Sequence, residues 1–592
     1  MDLNQFYLSR KQKESLLLKD INRSLFASSM LRLVVFILIV LSIYFFWGNT
    51  QLLVLSLSVG VGLFLFLITR HQRLENRRDY RKATIAVNQT ELNALAGIHG
   101  EENGAKYTSA NHAYSQDIDL FGEGSIFQRI NRTTTVYGEQ LLAKWLNDND
   151  ITGIEERQKA IQELAEKVDW REHFRATASL SASASELDTR TVLSWLRSYK
   201  PFIPAYFKII PIVFSVLSLV AIALYSTDIL SITQLLIVFF GGLGITGTYV
   251  KRITSLYNNI SKAKDTFAHY SELISAIETA DFSSQLLNTH KEKVISNTQS
   301  ASVLLRKIST EINNLGNRNN ILLAPVLNGF FLWDIYYSYK IERWISSFDN
   351  TVVEWFEAIE FFDAMGSLAN YSFNHPTHVL PKISGSPDNI LEATEMKHPL
   401  MSPEKCVPNS IHIKKNDFII ITGANMAGKS TFLRTVGLNL VLANCGLPVP
   451  ATSFTYTPIK LISSMRTSDS LLDDASYFYA ELRRLKHIVD QLETAHYFVI
   501  LDEILKGTNS KDKAEGSAKF LERLVKTGST GIIATHDLSL CTLADSFPSI
   551  RNHYFDAEIV NDELYFDYTF KNGVCQNMNA SFLLRKMGII HP

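Results

Sequence analysis

The chain has 592 residues and a mass of 66.9 kDa, which excludes a single small binding module and predicts roughly four structural units. Lys and Arg number 58 against 59 for Asp and Glu, so the net charge of -1 excludes a basic nucleic-acid-binding surface spread over the whole chain. Hydrophobic residues make up 46% and the mean hydropathy is +0.03, which is high for a soluble protein, so apolar residues must be concentrated in particular segments.

The first concentration is a pair of apolar runs, Leu31–Trp47 and Leu52–Thr69, separated by a four-residue turn. Apart from Arg32 neither run contains a charge, and each is near the lower length limit for crossing a hydrocarbon core of about 30 Å. A cleaved signal peptide is a poor alternative, because no small-residue cleavage site follows the first run and a second run follows at once. We therefore predict a transmembrane helical hairpin over 31–69, preceded by an N-terminal segment over 1–30.

The distribution of cations predicts the orientation of this hairpin. Lys and Arg are frequent on both outer sides and absent from the connecting turn, so the positive-inside rule places both ends in the cytoplasm. We expect a multi-pass membrane protein whose N-terminus and large soluble segments are cytoplasmic. The cations concerned are Arg10, Lys11, Lys13, Lys19 and Arg23 before the hairpin, and Arg70, Arg73, Arg77, Arg78, Arg81 and Lys82 after it.

Residues 70–120 form a predicted polar connector, and 121–200 show apolar residues at helical spacing. A second hairpin is predicted over 207–250, from the runs Ile209–Tyr225 and Ile229–Val250. The second of these runs contains Gln234, Thr246 and several glycines, and a pair of buried core helices in a soluble protein is the alternative for both hairpins.

Residues 251–385 are predicted to be helical again, with long helices over Thr254–Leu315 and Ser338–Asn370. The apolar stretch Ile321–Trp333 is too short to span a bilayer and is interpreted as buried or interfacial. Over 386–592, short apolar strands alternate with helices and glycine turns, which predicts an α/β domain with a largely parallel sheet. The four cysteines, all in the last third of the chain, have no short C-x-x-C spacing and are interpreted as reduced thiols rather than as zinc ligands or disulfides.

A phosphate-binding loop follows the buried strand Phe418–Thr422, and a helix pattern follows the loop. In such a G-x-x-x-x-G-K-S loop the backbone N–H groups face phosphate oxygens, Lys429 reaches the β- and γ-phosphates, and the Ser430 hydroxyl can hold Mg²⁺. The pattern predicts ATP and Mg²⁺ as ligands. The residues of this predicted site are Gly423, Ala424, Asn425, Met426, Ala427, Gly428, Lys429, Ser430 and Thr431.

Two further strand patterns end in groups suited to phosphate chemistry. Tyr497–Leu501 runs into Asp502, which could hold the metal, and Glu503, which could act as the general base. A third strand, Gly531–Ala534, leads to His536. That histidine could be a buried hydrogen-bonding group, but at the end of a strand in such a sheet we favour contact with the γ-phosphate or the attacking water.

These patterns resemble the ATPase of the MutS family of DNA mismatch repair proteins, a branch of the ABC-type ATPases. TGANMAGKST looks like the family's first motif, LDEILKGTNSKDKAEG is similar to its second, and ATHDL matches its A-T-H. DASYFYAEL resembles the segment that replaces the signature of ABC transporters. The resemblance implies a homodimer through the ATPase domains, with Ser476 completing the partner's nucleotide site and Asn509 at the subunit junction.

Upstream, SIFQRINRTTTVYGEQLLAKWL and EFFDAMGSLANYS are similar to parts of the family's helical core, so the resemblance covers about 120–200 and 250–592. It implies an all-α core with lever helices before the ATPase, and binding to mismatched or branched DNA. Two departures put that DNA role in doubt: the first 120 residues are too few for the mismatch-recognition domain, and hairpin 2 interrupts the core where the family carries its DNA clamp. At the C-terminal end, Asn579 and Ala580 depart from the family's closing motif.

Three functions remain open from the sequence. The first is a membrane-anchored MutS-like ATPase that dimerises, hydrolyses ATP and binds structured DNA. The second is a membrane machine in which ATP-driven dimer closure moves the hairpins. The third is a switch that recognises another protein. The motif resembling the family's signature favours the first, whereas the near-zero net charge gives the DNA role no independent support.

Overall fold

The computed structural model describes residues 2–109, 111–182, 189–295, 300–348, 351–402, 404–466, 477–560 and 563–576. Among the described residues, the regular elements as far as Asn374 are helices, and the first strand begins at Lys382. The predicted order of a helical region followed by an α/β domain is therefore confirmed. The first strand lies just before the predicted domain boundary at 386, within the Pro and Gly cluster that suggested it.

The chain begins with two long helices, α1 (Leu3–Phe45) and α2 (Thr50–Leu95). The side chains of Asp2 and Asn49 cap them by accepting backbone N–H groups of each first turn. The two helices pack against each other over their whole length, while the apolar runs face outward on both. Exposed side chains in these runs include Leu33, Val34, Phe36, Ile37, Leu38, Val54, Leu55, Val59, Leu65 and Phe66.

The structure differs from the polar connector predicted for 70–120, because α2 continues as a helix to Leu95. Apolar periodicity is weak there since this half of α2 contacts its neighbours through polar groups. The Asn88 amide donates to Glu172 Oε1 at 2.6 Å, and Arg81 donates to Glu14 Oε2 at 2.7 Å. The remaining connector contains one short 3-10 helix, η1 (Ala105–Tyr107).

A buried charged cluster attaches α2 to the helices that follow. The Glu91 carboxylate accepts from Arg132 Nε at 2.9 Å, from the Asn370 and Asn374 amides at 2.9 Å each, and from Arg175. Burial alone would raise the pKa of Glu91, but the charges of Arg132 and Arg175 lower it to about 2. The first hairpin is therefore joined to the helical core by an ionised network rather than by a flexible linker.

Replacing Glu91 with glutamine is expected to destabilise this joint by about 3 kcal/mol, because two buried guanidinium groups lose their counter-charge. The contribution of Glu91 should be fully present above its unfolded pKa of about 4.5, and it should be lost as the pH falls toward its folded pKa of about 2. Thermal unfolding of the detergent-solubilised protein at several pH values measures both effects. Glu155→Gln, on an exposed position of a core helix, is the control and should leave the unfolding temperature unchanged.

The first half of the helical core packs around buried residues such as Leu142, Ile161 and Leu164. The Asp363 carboxylate, from the second half, accepts the backbone N–H groups of Thr134 and Thr135. This contact fixes the end of the NRTTT segment, directly before the helix that starts at Val136. The helices are α3 (Ile126–Ile130), α4 (Val136–Asn147), α5 (Ile154–Glu166), α6 (Val168–Ala182), α7 (Thr189–Ser198) and η2 (Ala205–Lys208).

The second apolar hairpin consists of α8 (Ile210–Ser226) and α9 (Ile232–Ile260). Gln234 forms a capping box with Ser231 at the start of α9, so its amide group is used at the helix end. By length and composition, three described helical stretches could cross a membrane. They are α1, the part of α2 from Gln51 to Leu95, and a continuous stretch from Ile232 to Thr279 that begins with α9. Helix α8 is a shorter apolar helix.

The long helices predicted over Thr254–Leu315 are divided into shorter ones. The break after Thr279 is held by the Glu163 carboxylate, which accepts the backbone N–H groups of Ser283 and Ser284. The elements are η3 (Ser261–Ala263), α10 (Lys264–Thr279), α11 (Gln285–Glu292), α12 (Ala301–Leu315), η4 (Gly316–Asn319), α13 (Leu323–Phe331), α14 (Trp333–Phe348) and α15 (Thr351–Asn374).

The α/β domain contains a six-stranded sheet in the order β12-β9-β4-β8-β7-β6, a four-stranded sheet in the order β1-β5-β2-β3, and a β10-β11 hairpin. All pairs of the larger sheet are parallel except that of β12 with β9. Its strands are β4 (Phe418–Gly423), β6 (Lys460–Ser464), β7 (Tyr497–Asp502), β8 (Thr530–Ala534), β9 (Ile550–Phe555) and β12 (Lys571–Asn572).

The other strands are β1 (Lys382–Ile383), β2 (Asn389–Met396), β3 (Asn409–Lys414), β5 (Ser453–Tyr456), β10 (Glu558–Val560) and β11 (Glu563–Tyr565). The helices of the domain are α16 (Lys429–Asn444), α17 (Tyr477–Leu492), α18 (Ser510–Lys526), η5 (Leu538–Thr542) and α19 (Leu543–Ser546).

One hydrophobic core extends from the helical region into the sheet. Asp117 strengthens that junction, because its carboxylate accepts from the Ser463 hydroxyl at 2.6 Å and from the Arg466 backbone N–H at 2.8 Å.

Candidate functional site

Three neighbouring strands of the larger sheet end at the same edge. In the parallel register Ala534 lies beside both Ile421 and Asp502, so the segments that follow β4, β7 and β8 come together. The carboxyl edge of a parallel sheet is where ligands bind in open α/β folds. Residues separated by about a hundred positions in the sequence thereby share one site.

The loop between β4 and α16 has a backbone that requires glycine at both ends. Gly423 has φ +148°, and a Cβ there would lie 2.4 Å from the Phe555 carbonyl oxygen. Gly428 has φ +104° and immediately precedes the first residue of α16. The first N–H groups of a helix have no intrahelical acceptor and favour an anion, so this loop is shaped to receive one.

The Lys429 side chain folds back along the loop and is almost fully buried. Its Nζ donates to the carbonyls of Gly423 at 2.8 Å and Ala424 at 2.9 Å, and lies 3.3 Å from His536 Nε2. Burial lowers the pKa of Lys429 below its usual value, and the nearby carboxylates of Glu503 and Asp502 oppose this shift only in part. The ammonium group is therefore positioned by the loop itself, beside both predicted acids.

Asp502 and Glu503 occupy different environments although they are neighbours. Burial raises the pKa of Asp502, and a hydrogen bond from Ser430 opposes that shift. The Glu503 Oε1 atom is 2.8 Å from His536 Nε2, and this hydrogen bond lowers the pKa of Glu503 to about 2. Glu503 has φ +49°, and its backbone N–H donates to the Ala534 carbonyl at 2.9 Å, which holds the two strand ends together.

A cavity of about 460 Å³ opens in front of the loop. One wall consists of the predicted residues Asn425, Met426, Gly428, Lys429, Ser430, Thr431, Glu503 and His536. The opposite wall comes from the smaller sheet, the segment after β2, and the segment before β12. Its members are Met396, His398, Met401, Lys405, Cys406, Val407, Asn409 and Tyr568, and Phe555 at the end of β9 also lines the cavity.

Known proteins match this part of the chain. The family model of MutS domain V matches residues 419–585, which contain the loop, both acids and His536. Residues 419–585 of this chain therefore match domain V of the MutS family. Among curated relatives, DNA mismatch repair protein msh-2 of Neurospora crassa is 33% identical over 205 residues, which is 33% of this chain and 22% of the relative.

DNA mismatch repair protein MutS of Protochlamydia amoebophila is 30% identical over 243 residues, covering 39% of this chain and 28% of the relative. A mitochondrial DNA mismatch repair protein mutS homolog of Sarcophyton glaucum is 27% identical over 281 residues, covering 46% and 27%. The chain thus spans about a quarter of the length of these curated relatives.

The site residues that the sequence predicted fall into three groups. The structure brings Lys429, Ser430, Asp502, Glu503 and His536 together at the sheet edge, and Ala427 is buried within the loop. In the described chain Asn509 caps α18, where its side chain accepts the Asp512 backbone N–H at 2.9 Å, and the residues lining the cavity do not include it. Ser476 and the closing motif that contains Asn579 and Ala580 lie outside the described residues.

Sequence reasoning did not find the opposite wall of the cavity. Asn409 joins its parts, because its amide donates to the Tyr568 carbonyl at 3.0 Å and its Oδ1 accepts the Phe570 backbone N–H at 2.7 Å. No local pattern links residues near 409 with residues near 568, so nothing in the linear sequence indicated the pair. His398 lies in the segment MKHPLM, which begins at the end of β2 and contains no motif that indicates a binding residue.

Proposed function

We propose that this protein is a membrane-anchored MutS-like ATPase that binds ATP with Mg²⁺ and hydrolyses it in a dimer. The observation that carries the proposal is the convergence of Lys429, Ser430, Asp502, Glu503 and His536 at one sheet edge, within a domain V of the MutS family. Cavity size agrees with a nucleotide, since ligand pockets are commonly of about 300–1,000 Å³.

The residues present fit a magnesium ion. Ser430 is close enough to the Asp502 carboxylate to oppose the rise of its pKa on burial, so two hard oxygen donors of the type that Mg²⁺ prefers lie near each other beside the loop. These two residues would hold the ion, directly or through water. When bound, the ion would neutralise negative charge on the phosphate groups.

Each remaining group has a role that its position supports. Lys429 and the loop N–H groups would bind the β- and γ-phosphates. Glu503 would orient the attacking water and accept its proton at a carboxylate oxygen, and His536 would position Glu503 through the 2.8 Å contact. By the family resemblance, Ser476 and the region of Asn509 would act at the subunit junction of a homodimer.

We propose that both apolar hairpins insert into a membrane, with the N-terminus and domain V in the cytoplasm. Large apolar side chains are exposed along α1, α2, α8 and α9, and leaving each of them in water would forgo about 1.5–3 kcal/mol of burial energy. The connecting turn of the first hairpin carries no Lys or Arg, whereas its two outer sides do.

Binding to mismatched DNA is proposed from the names of the relatives, and binding to branched DNA from the family resemblance of the motifs. One structural observation favours the alternative, an ATP-driven membrane machine or protein-binding switch that does not recognise mismatches. Helix α9 passes without a break from its apolar half into the helical core, where Ile253, Leu256 and Ile260 are buried. A helix that joins the core to a bilayer can transmit movement to the membrane.

Equilibrium binding distinguishes the two functions. The detergent-purified protein would be titrated with matched duplex, mismatched duplex, four-way junction and single strand, with ATP and at two salt concentrations. A salt-sensitive preference for one structure supports the DNA-directed function. Weak, equal binding to all four, together with ATP turnover, supports the membrane machine, and absence of turnover would refute the ATPase itself.

A further inference from the structure

In the described part of the chain, the short helix α13 has an apolar N-terminal end that is exposed. Ile321 is 87% exposed and Leu322 is 82% exposed, and Leu323, Pro325 and Val326 are exposed as well. These five apolar residues within six positions form an exposed apolar patch, whose contact with water is energetically unfavourable. We name these residues the α13 tip.

The other side of α13 packs tightly against the second hairpin. A Cβ on Gly242 of α9 would lie 2.2 Å from the Gly329 carbonyl oxygen, and a Cβ on Gly329 would lie 2.3 Å from the Phe239 ring. The Ser215 hydroxyl oxygen of α8 lies 3.5 Å from the Phe331 carbonyl oxygen. Close backbone approach through glycine is the usual way in which helices associate inside a bilayer.

These contacts give the depth of α13. Gly242 precedes the first cation at the end of the span, Lys251, by nine residues, which is about 14 Å along a helix. That distance is nearly half of a hydrocarbon core of about 30 Å. Helix α13 has nine residues, which also correspond to about 14 Å. Its length therefore matches about half the thickness of the hydrocarbon core.

The chain reverses at the buried residue Leu332. Leu332 has φ +49°, and the N–H of Asp334 donates to the Asn328 side-chain oxygen at 2.9 Å. The Trp333 indole N–H donates to the Asn314 carbonyl at 2.8 Å. Irregular backbone is tolerated at membrane depth only when it is buried in protein and satisfied in this way.

Charged groups mark where this segment leaves the apolar region. Arg318, just before the α13 tip, pairs with Asp334 at 3.4 Å, and both side chains are at most 10% exposed. Arg318 also donates to the Thr254 hydroxyl at 2.9 Å, four residues beyond the end of the predicted span in α9. Charge is therefore paired on the cytoplasmic side, while the α13 tip stays apolar.

We propose that α13 is a re-entrant half-helix whose tip contacts lipid hydrocarbon beside α8 and α9. The second membrane unit then comprises three helices rather than a simple hairpin. This inference rests on the proposed membrane insertion of the hairpins, because the occupant of the exposed tip is identified by its continuity with their apolar surfaces.

The test places an environment-sensitive fluorophore at single cysteines of the full-length protein reconstituted in liposomes that contain nitroxide-labelled acyl chains. Cys406, which is half-buried, is first replaced by serine so that it does not react. Leu322→Cys reports on the α13 tip, Leu217→Cys on α8 of the second hairpin, and Asn313→Cys on an exposed polar position of α12. Labels at 322 and 217 are expected to lose most of their fluorescence, and the label at 313 to keep it.

The outcomes separate the two proposals. Quenching at 217 without quenching at 322 would overturn the re-entrant helix and leave the anchoring hairpin standing, and so would a disulfide formed between two copies through residue 322. An unquenched label at 217 would refute membrane insertion of the second hairpin, and the re-entrant helix with it.

A matched pair of glycine variants tests how α13 is held. In the Leu322→Cys protein, Gly242→Val should change the ratio of quenching by shallow and deep nitroxides, because the new side chain collides with Gly329. Gly241→Val should not, because a Cβ at Gly241 meets no atom within 4 Å. Equal ratios in both variants would contradict the packing on which the inference depends.

Discussion

Glu503→Gln is expected to lower the rate of ATP hydrolysis by about 10²- to 10⁴-fold, the range associated with loss of a general base. Glutamine has nearly the same shape but cannot accept the proton of the attacking water. The Lys429 and Ser430 contacts do not involve the changed atoms, so ATP binding should persist. Single-turnover hydrolysis together with equilibrium binding of labelled ATP measures the two effects separately.

The closed dimer should accumulate in this variant, because binding continues while hydrolysis stops. Size-exclusion chromatography with ATP and Mg²⁺ would detect it as a species of twice the mass. Glu515→Gln, on an exposed position of α18, is the matched control and should hydrolyse ATP at the original rate. Unchanged turnover in Glu503→Gln would remove Glu503 from its assigned role.

Lys429→Ala is expected to weaken ATP binding by about 10- to 100-fold, the equivalent of one or two charge-assisted hydrogen bonds. Hydrolysis should fall further, because the ammonium group would also stabilise the charge that develops on the transferred phosphate. Equilibrium binding of ATP and steady-state turnover are the measurements.

The folding of Lys429→Ala must be checked separately, since the Lys429 side chain bridges two loop carbonyls. An unfolding temperature close to that of the unchanged protein would show that the loss belongs to the site. Lys415→Ala, an exposed position between β3 and β4, is the control and should bind ATP normally. Normal affinity in Lys429→Ala would contradict the assignment of this loop to phosphate binding.

Local patterns were sufficient to predict the main architecture. The buried strand Phe418–Thr422 lies within β4, and Gly531–Ala534 lies within β8. Such patterns are reliable because a strand buried on both faces requires an uninterrupted apolar run. Prediction was weaker at 70–95 and Thr254–Leu315, where polar contacts from distant residues such as Glu172 and Glu163 determine where helices extend and end.

Short segments of sequence were sufficient to predict the glycine loop, the acids at the end of β7 and the two apolar hairpins, because each depends on neighbouring residues. The packed structure was needed to show that His536 contacts Glu503, that Asn409 joins the Tyr568 segment into a second cavity wall, and that α13 packs against Gly242. These features depend on distances between elements far apart in the chain. Such distances are set by strand register and helix packing, which no local pattern of residues encodes.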